Sequence, residues 1–405
     1  MTSSSIRWSE DPTLIHVDTP REGIPPLTTG PAYRPALTRL RRGSGPVAVD
    51  VERAMGIRYS ARAYLIQLRR EGSGTLLCDP VGNEEYYPEL ATILGDAVWV
   101  LHAADQDLPS LGDLGLRPGP GKLFDTEVAA LLLGDERISL QAQLAENLGL
   151  LLAKEHSQAD WSERPLADEL RSYAALDVEL LAPLRQVQLE RLERAGRLEW
   201  AAQEFEEIRT RPPKAAPAEP WRRAPHRQDF SSRRDLALVR ALWQARDRIA
   251  QTTDTAPDLV LSRADIAALA RRRPRSLADV RTARPLRTGG KQYLAPALWQ
   301  AVAQAWALPS SELPEPAPAR PSRRAERGIP HLLEHVRGAV QKRATELGIR
   351  HDVLLKPAVQ RELARLLRRR VARTAPAIGD ALAELGARPW QVENTATWIA
   401  AAVRS

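Results

Sequence analysis

The chain has 405 residues, 43% of them apolar and 27% charged, and a formal net charge of +7. That length provides material for roughly two to four domains with cores of their own. The single cysteine, Cys78, excludes an internal disulfide framework and suits a reducing cytoplasm, and no apolar run is long enough to span a membrane.

Taken in order, residues 1–33 are polar and proline-bearing, with no signal-peptide pattern, and are expected to form a loose N-terminal arm. A first domain is expected over 34–205. Strands are predicted at 47–50, 64–68 and 75–78, the last two joined by the tight Glu71-Gly-Ser-Gly74 connection, which gives a three-stranded antiparallel meander. A helix over 84–94 and a buried strand over 97–101 follow. The alternation continues through Phe124-Asp-Thr-Glu127 to Leu152, and one long helix from about Leu166 to Leu192 closes the domain. The expected result is a mixed α/β sheet with carboxylates gathered at strand ends.

Residues 206–231 are rich in Pro and Arg and read as a stiff basic linker. A helical domain is expected over 232–308, with helices near 236–251, 263–271, 276–282 and 292–308. A second Pro-rich linker covers 309–328 and a last helical block covers 329–405. The two blocks look like repeats, since Asp258-Leu-Val-Leu-Ser-Arg-Ala264 aligns with Asp352-Val-Leu-Leu-Lys-Pro-Ala358 at an offset of 94 residues. Charge follows the same division. Residues 1–205 carry 21 Lys+Arg against 31 Asp+Glu, a net of −10, whereas 206–330 carry a net of +11 and 331–405 a net of +6. An acidic first half joined to a basic remainder suits a chain in which one part collects metal ions and the other polyanions. A truncation near residue 215 is therefore expected to keep the acidic domain folded and to lose grip on long polyanions.

Three acidic motifs carry the chemistry. In Val47-Ala-Val-Asp-Val-Glu-Arg53, alternation along the strand puts Asp50 and Glu52 on one side and Val51 on the other. Two carboxylates so close repel unless a cation lies between them, although a solvated pair at a strand end reads the same way. His102-Ala-Ala-Asp-Gln-Asp107 follows the apolar strand, and either Asp105 or Asp107 could be a ligand or a helix cap. Tyr173-Ala-Ala-Leu-Asp177 puts a phenol and a carboxylate one turn apart on a helix face. The alternative there is a core tyrosine beside a surface aspartate.

In this order the motifs resemble the DEDD superfamily of 3′→5′ exonucleases, in its tyrosine branch, and most of all the ribonuclease D family. Arg58-Tyr-Ser-Ala-Arg-Ala-Tyr-Leu-Ile-Gln-Leu68, Leu123-Phe-Asp-Thr-Glu127 and Trp161-Ser-Glu-Arg-Pro-Leu166 resemble that family's connecting segments. The helical blocks resemble the HRDC module, also found in RecQ helicases. The resemblance implies an RNase H-like nuclease domain followed by two small all-α HRDC-like modules. Where the family commonly has Thr, this chain has Val51, which is expected to face away from the metals. The family's His-x-x-x-x-Asp-Leu pattern selects Asp107 over Asp105. The implied site is then Asp50, Glu52, Asp107 and Asp177 holding two divalent cations, Asp50 shared between them, with Tyr173 orienting the attacking water. An all-oxygen set suits magnesium or manganese, and His102 is the only histidine near these motifs.

The expected activity is metal-dependent hydrolysis of single-stranded RNA 3′ ends to nucleoside 5′-monophosphates, in tRNA 3′ processing or RNA turnover. A proofreading-type DNA exonuclease and a catalytically silent nucleic-acid adaptor are the rival readings; the full set of carboxylates speaks against the second. Arg271, Arg272 and Arg273, with Arg368, Arg369 and Arg370, are candidate phosphate contacts or solvated helix faces. Trp243, Tyr293, Trp299, Trp306, Trp390 and Trp398 are candidates for stacking on bases or for module cores.

Overall fold

The structure is a computed structural model that describes residues 13–152, 159–213, 215, 217–223, 230, 232–316, 328–369 and 373–404. It divides into two compact units. The first comprises residues 1–53, 63–212 and 321–405, and the second comprises 54–62 and 213–320.

In the first unit the strands are β1 (Ile15–Val17), β2 (Leu27–Thr28), β3 (Ser44–Arg53), β4 (Ala63–Glu71), β5 (Gly74–Cys78), β6 (Trp99–Leu101), β7 (Leu123–Asp125) and β8 (Leu150–Leu152). Six of them form one sheet in the order β2-β5-β4-β3-β6-β7, and β1 pairs with β8 separately. The β3–β4–β5 meander is antiparallel as expected, while β6 and β7 run parallel to β3. Val47, Ala48 and Val49 are fully buried, as a central strand covered on both faces requires.

The helices of the nuclease part are α1 (Tyr33–Arg42), α2 (Tyr87–Gly95), α3 (Leu108–Asp113), α4 (Thr126–Leu133), α5 (Leu140–Leu148), α6 (Asp168–Glu179), α7 (Leu181–Arg194) and α8 (Leu198–Thr210). The long helix expected from 166 to 192 is thus two helices, parted at Leu180. Pro183 explains the break, because it has no N–H to donate to the Glu179 carbonyl and its ring crowds that carbonyl. The helix α8 also runs five residues into the segment read as linker, and stops just before Pro212 and Pro213.

The N-terminal arm is more ordered than its composition suggests. Besides contributing β1 and β2, it is tied down where the Arg21 backbone N–H donates to the buried Glu179 carboxylate at 3.3 Å and Arg171 Nη1 donates to the Pro25 carbonyl at 2.8 Å.

The second unit carries α9 (Arg233–Thr252), α10 (Pro257–Val260), α11 (Arg263–Arg272), α12 (Leu277–Arg281), α13 (Arg284–Thr288) and α14 (Ala295–Ala307). Trp221 and Phe230, from the stretch read as linker, are buried in its core. So too the segment after β3 belongs to this unit: the Ala256 N–H donates to the Ile57 carbonyl at 2.8 Å, and the Tyr59 hydroxyl donates to Asp247 at 3.2 Å.

The last block carries α15 (Ile329–Leu347), α16 (His351–Leu354), α17 (Pro357–Arg369), α18 (Ala375–Glu384) and α19 (Pro389–Arg404). The repeat read from the sequence has a backbone counterpart. Leu261 (φ −156°, ψ 117°) and Leu355 (φ −153°, ψ 117°), 94 residues apart, end the short helices α10 and α16 in the same extended conformation.

This block shares one apolar core with the nuclease part. The Trp200 and Trp390 rings stack at 4.6 Å, and Glu204 accepts from both Trp390 Nε1 (2.8 Å) and Arg388 Nε (2.7 Å). Arg197 donates to the Leu132 and Leu347 carbonyls, a cation set at the C-terminal ends of α4 and α15, where helix dipoles favour it. Between those ends Gly134 has φ +83°, and a Cβ there would lie 2.0 Å from the Gly348 carbonyl oxygen, so only glycine allows the approach. Among the described residues no helix is long and apolar enough to cross a membrane.

Candidate active site

A cavity of about 420 Å³ opens at the end of β3, lined by Asp50, Glu52, Asp107, Tyr173 and Asp177, together with Arg53, His102, Gln106 and Glu127. All five residues singled out by the three motifs thus meet in one place. Oxygen atoms of Asp50, Glu52 and Asp177 lie within 4.8 Å of one another, and all three residues are half-buried. Val51 is 4% exposed and belongs to the apolar core, although it also borders the cavity.

Asp107 is buried and makes no capping hydrogen bond with its own helix; its Oδ1 lies 3.1 Å from Arg53 Nη2. Asp105 is exposed, 3.5 Å from Arg211, and does not line the cavity.

The charges are held at a cost. Burial raises the Asp50 carboxyl to about 6, against the pull of the Val51 N–H and Arg53. Burial, and then the carboxylates of Asp50, Asp177 and Asp107, push Glu52 up to about 10. Asp107 is raised for the same reasons, burial first and Asp50 next. Burial lowers His102 to about 4 and keeps its ring neutral, sharing a 2.9 Å hydrogen bond with Thr126 Oγ1. The Tyr173 hydroxyl faces the carboxylates: burial, then Asp177, Glu52 and Asp50, and a hydrogen bond to Asp177 hold it protonated. A cluster raised in this way accommodates its own negative charge poorly, as expected of a site that a divalent cation completes.

Three residues of the site were not singled out from the sequence. Gln67 is fully buried opposite Asp50 in the β3–β4 register, and its Nε2 donates to Asp50 Oδ2 at 3.0 Å. Its trace in the sequence is one amide in the otherwise apolar Ala63–Leu68 run. Asp125 is 1% exposed and accepts from the backbone N–H groups of Ala103, Ala104, Glu127 and Val128 at 2.7–3.2 Å. It thereby caps α4 and holds the turn that carries Asp107, in which Ala103 has φ +58°. Arg53 sits beside Glu52 and gave no signal of its own.

None of the described arginines of the two triplets lines the cavity. Arg273 forms a fork with Asp235 through two 2.7 Å hydrogen bonds, Arg272 donates to Thr282 Oγ1 at 3.2 Å, and the Arg271 guanidinium lies 5.9 Å from the Phe230 ring centre. Arg368 and Arg369 end α17 and are exposed, whereas Arg370 lies outside the described residues. Trp243 and Trp390 are buried and Trp299, Trp306 and Trp398 pack against the cores, so these tryptophans serve as core; Tyr293 is 74% exposed.

Comparison with known proteins identifies the family. Residues 33–193 match the model of a 3′-5′ exonuclease, 235–302 the HRDC domain, and 318–403 the 3′ to 5′ exonuclease C-terminal domain. The chain is 32% identical over 321 residues to ribonuclease D of Gluconacetobacter diazotrophicus, covering 76% of this chain and 78% of that one. It is 30% identical over 298 residues to ribonuclease D of Escherichia coli, covering 72% and 77%.

Among solved structures, a protein from Bifidobacterium adolescentis superposes with a TM-score of 0.87 at 36% identity, over 97% of this chain and all (100%) of the other. Escherichia coli RNase D, an exoribonuclease involved in structured RNA processing, superposes with a TM-score of 0.65 at 25% identity, over 88% and 98%. On these likenesses the chain belongs to the ribonuclease D family of 3′→5′ exoribonucleases.

Proposed function

We propose that the cavity at the end of β3 holds two divalent cations, magnesium or manganese, and shortens single-stranded RNA from the 3′ end, releasing nucleoside 5′-monophosphates. The observation that carries this is the meeting of Asp50, Glu52 and Asp177 oxygens within 4.8 Å beside a protonated Tyr173. The residues fit such ions, because the donors are all hard oxygens and their mutual repulsion is relieved by positive charge. His102, neutral and bonded to Thr126, is not in this set.

Asp50, Glu52 and Asp177 would hold one cation, and Asp107 with Asp50 the other. Bound there, divalent cations supply the Lewis acidity that activates water and steadies the departing 3′ oxygen. Gln67 fixes the Asp50 carboxylate by its cross-strand hydrogen bond. Tyr173, which keeps its proton, orients the attacking water and is not the base that deprotonates it. The exposed arginines at 271 and 368–369 suit phosphate contacts along the remaining RNA, and precursor tRNA ends and RNA under turnover suit the activity as substrates.

Labelled single-stranded RNA and its DNA counterpart, incubated with magnesium or with a chelator, test this reading. It requires stepwise release of 5′-monophosphates from RNA, faster than from DNA and abolished by the chelator. Equal rates with chelator, or internal cleavage products, would contradict it.

A further inference from the structure

We propose that Arg53 is the internal counter-ion of this site: it holds Asp107 in the metal-free enzyme, yields that carboxylate to an incoming divalent cation, and so frees its guanidinium for the phosphate of the RNA end. The inference rests on the metal-binding reading above and extends it to a residue outside the carboxylate motifs.

The placement of Arg53 is not what its strand dictates. Alternation along β3 puts Asp50 and Glu52 on one side and Val51 on the other, so Arg53 belongs with Val51, toward the core. The β3–β4 register shifts between Glu52, paired with Leu65, and Arg53, paired with Ala63. Such irregularities re-aim side chains, and Arg53 instead lines the cavity. There its Nη2 meets Asp107 Oδ1 at 3.1 Å and its Nη1 donates to the Gln106 carbonyl. Both side chains are withdrawn from water, at 16% and 6% exposure.

Among the described residues that line the cavity, Arg53 is the only Lys or Arg. It lowers the burden on Asp50, Glu52 and Asp107 alike. A buried carboxylate left without a partner is expensive, so the pair accounts for how Asp107 stays in place before a metal arrives. A cation drawn to Asp107 and the guanidinium on its Oδ1 repel each other and draw on the same carboxylate charge, so the two compete. A displaced guanidinium at the mouth of a phosphodiester site finds its best new partner in a non-bridging phosphate oxygen pair, which matches its planar fork.

Titration calorimetry of the full chain with magnesium chloride, without RNA, tests the competition in wild type, Arg53→Gln and Asp107→Asn backgrounds. Arg53→Gln should lower the metal-free melting temperature yet bind magnesium more tightly, by about fivefold or more for competing occupants. In the Asp107→Asn background the same substitution should tighten magnesium binding much less, since only the weaker through-space effect of Arg53 on Asp50 and Glu52 remains. With magnesium saturating, Arg53→Gln should raise KM for single-stranded RNA and reduce the slope of log affinity on log salt by about 0.7, the loss of one phosphate contact, with Arg53→Lys intermediate.

Equal or weaker magnesium binding by Arg53→Gln would overturn the proposal and leave Arg53 a structural residue, as would an unchanged KM and salt slope. Absence of magnesium binding by the wild type would instead refute the metal-site reading itself, so the two failures are distinguishable.

Discussion

Tyr173 is the residue at which the chemical and structural readings of the site diverge most cleanly. Its hydroxyl is hydrogen-bonded to Asp177 and faces Glu52 and Asp50, while its ring lies 6.2 Å from that of Trp161. Tyr173→Phe keeps the ring contact and removes only the hydroxyl. Turnover should fall by something on the order of 10²-fold with stability and magnesium affinity retained. A wild-type rate in a folded Tyr173→Phe protein would remove the hydroxyl from the mechanism.

Glu52 supports a second residue-scale prediction, which concerns pH. Its carboxyl is raised from 4.5 to about 10, and that of Asp50 from 3.8 to about 6. Between those limits the folded metal-free protein holds protons that the unfolded chain has already released. Its stability must therefore fall as pH rises through that window. Melting curves in chelator should show this decline, and Glu52→Gln should flatten it and raise the melting temperature at pH 8. An unchanged slope in Glu52→Gln would show that the unfavourable charge lies elsewhere.

At the scale of elements, what was legible in the sequence was what is local. The alternation around Asp50 and Glu52 and the four-residue spacing of Tyr173 and Asp177 are properties of a strand and a helix. They survive folding unchanged. Gln67, Arg53 and Asp125 act across a strand pair, a register shift and a turn, where no spacing along the chain announces the contact. Composition misled in several places: the polar N-terminal arm hid β1 and β2, the Leu-rich run over 166–192 hid the break that Pro183 imposes, and the Pro- and Arg-rich stretch after 205 hid the end of α8 and two core aromatics.

Asp125 lets this be tested, since two of its four backbone hydrogen bonds, from the Ala103 and Ala104 N–H groups, set the turn ahead of Asp107, and the other two cap α4. Asp125→Ala should lose the cap, worth about 1 kcal/mol, and should also weaken magnesium binding, measured by calorimetry. Asp125→Asn, which keeps an acceptor, should recover part of both. A loss of stability with unchanged magnesium affinity would limit Asp125 to capping α4.

At the scale of the molecule, the reading of two basic modules strung behind an independent nuclease gives way to a different division. The last block shares its core with the nuclease part, because Trp390, Gly348 and Arg388 meet Trp200, Gly134 and Glu204. A chain ending near residue 215 would expose that surface and should be destabilised, not merely deprived of RNA affinity. Trp390→Ala alone should cost about 3–5 kcal/mol in denaturant titration. A truncated protein with wild-type stability would contradict the shared core.

The proposed chemistry turns on Asp50, the proposed ligand common to both cations, held by Gln67 and close to Glu52 and Asp177. The most direct measurement is single-turnover release of 5′-monophosphate from 3′-end-labelled single-stranded RNA at saturating magnesium, by wild type and by Asp50→Asn of matched fold and RNA affinity. A shared-ligand role for Asp50 predicts a loss of several orders of magnitude in the variant. A rate within about tenfold of wild type, a difference of only about 1.4 kcal/mol in barrier height, would contradict it.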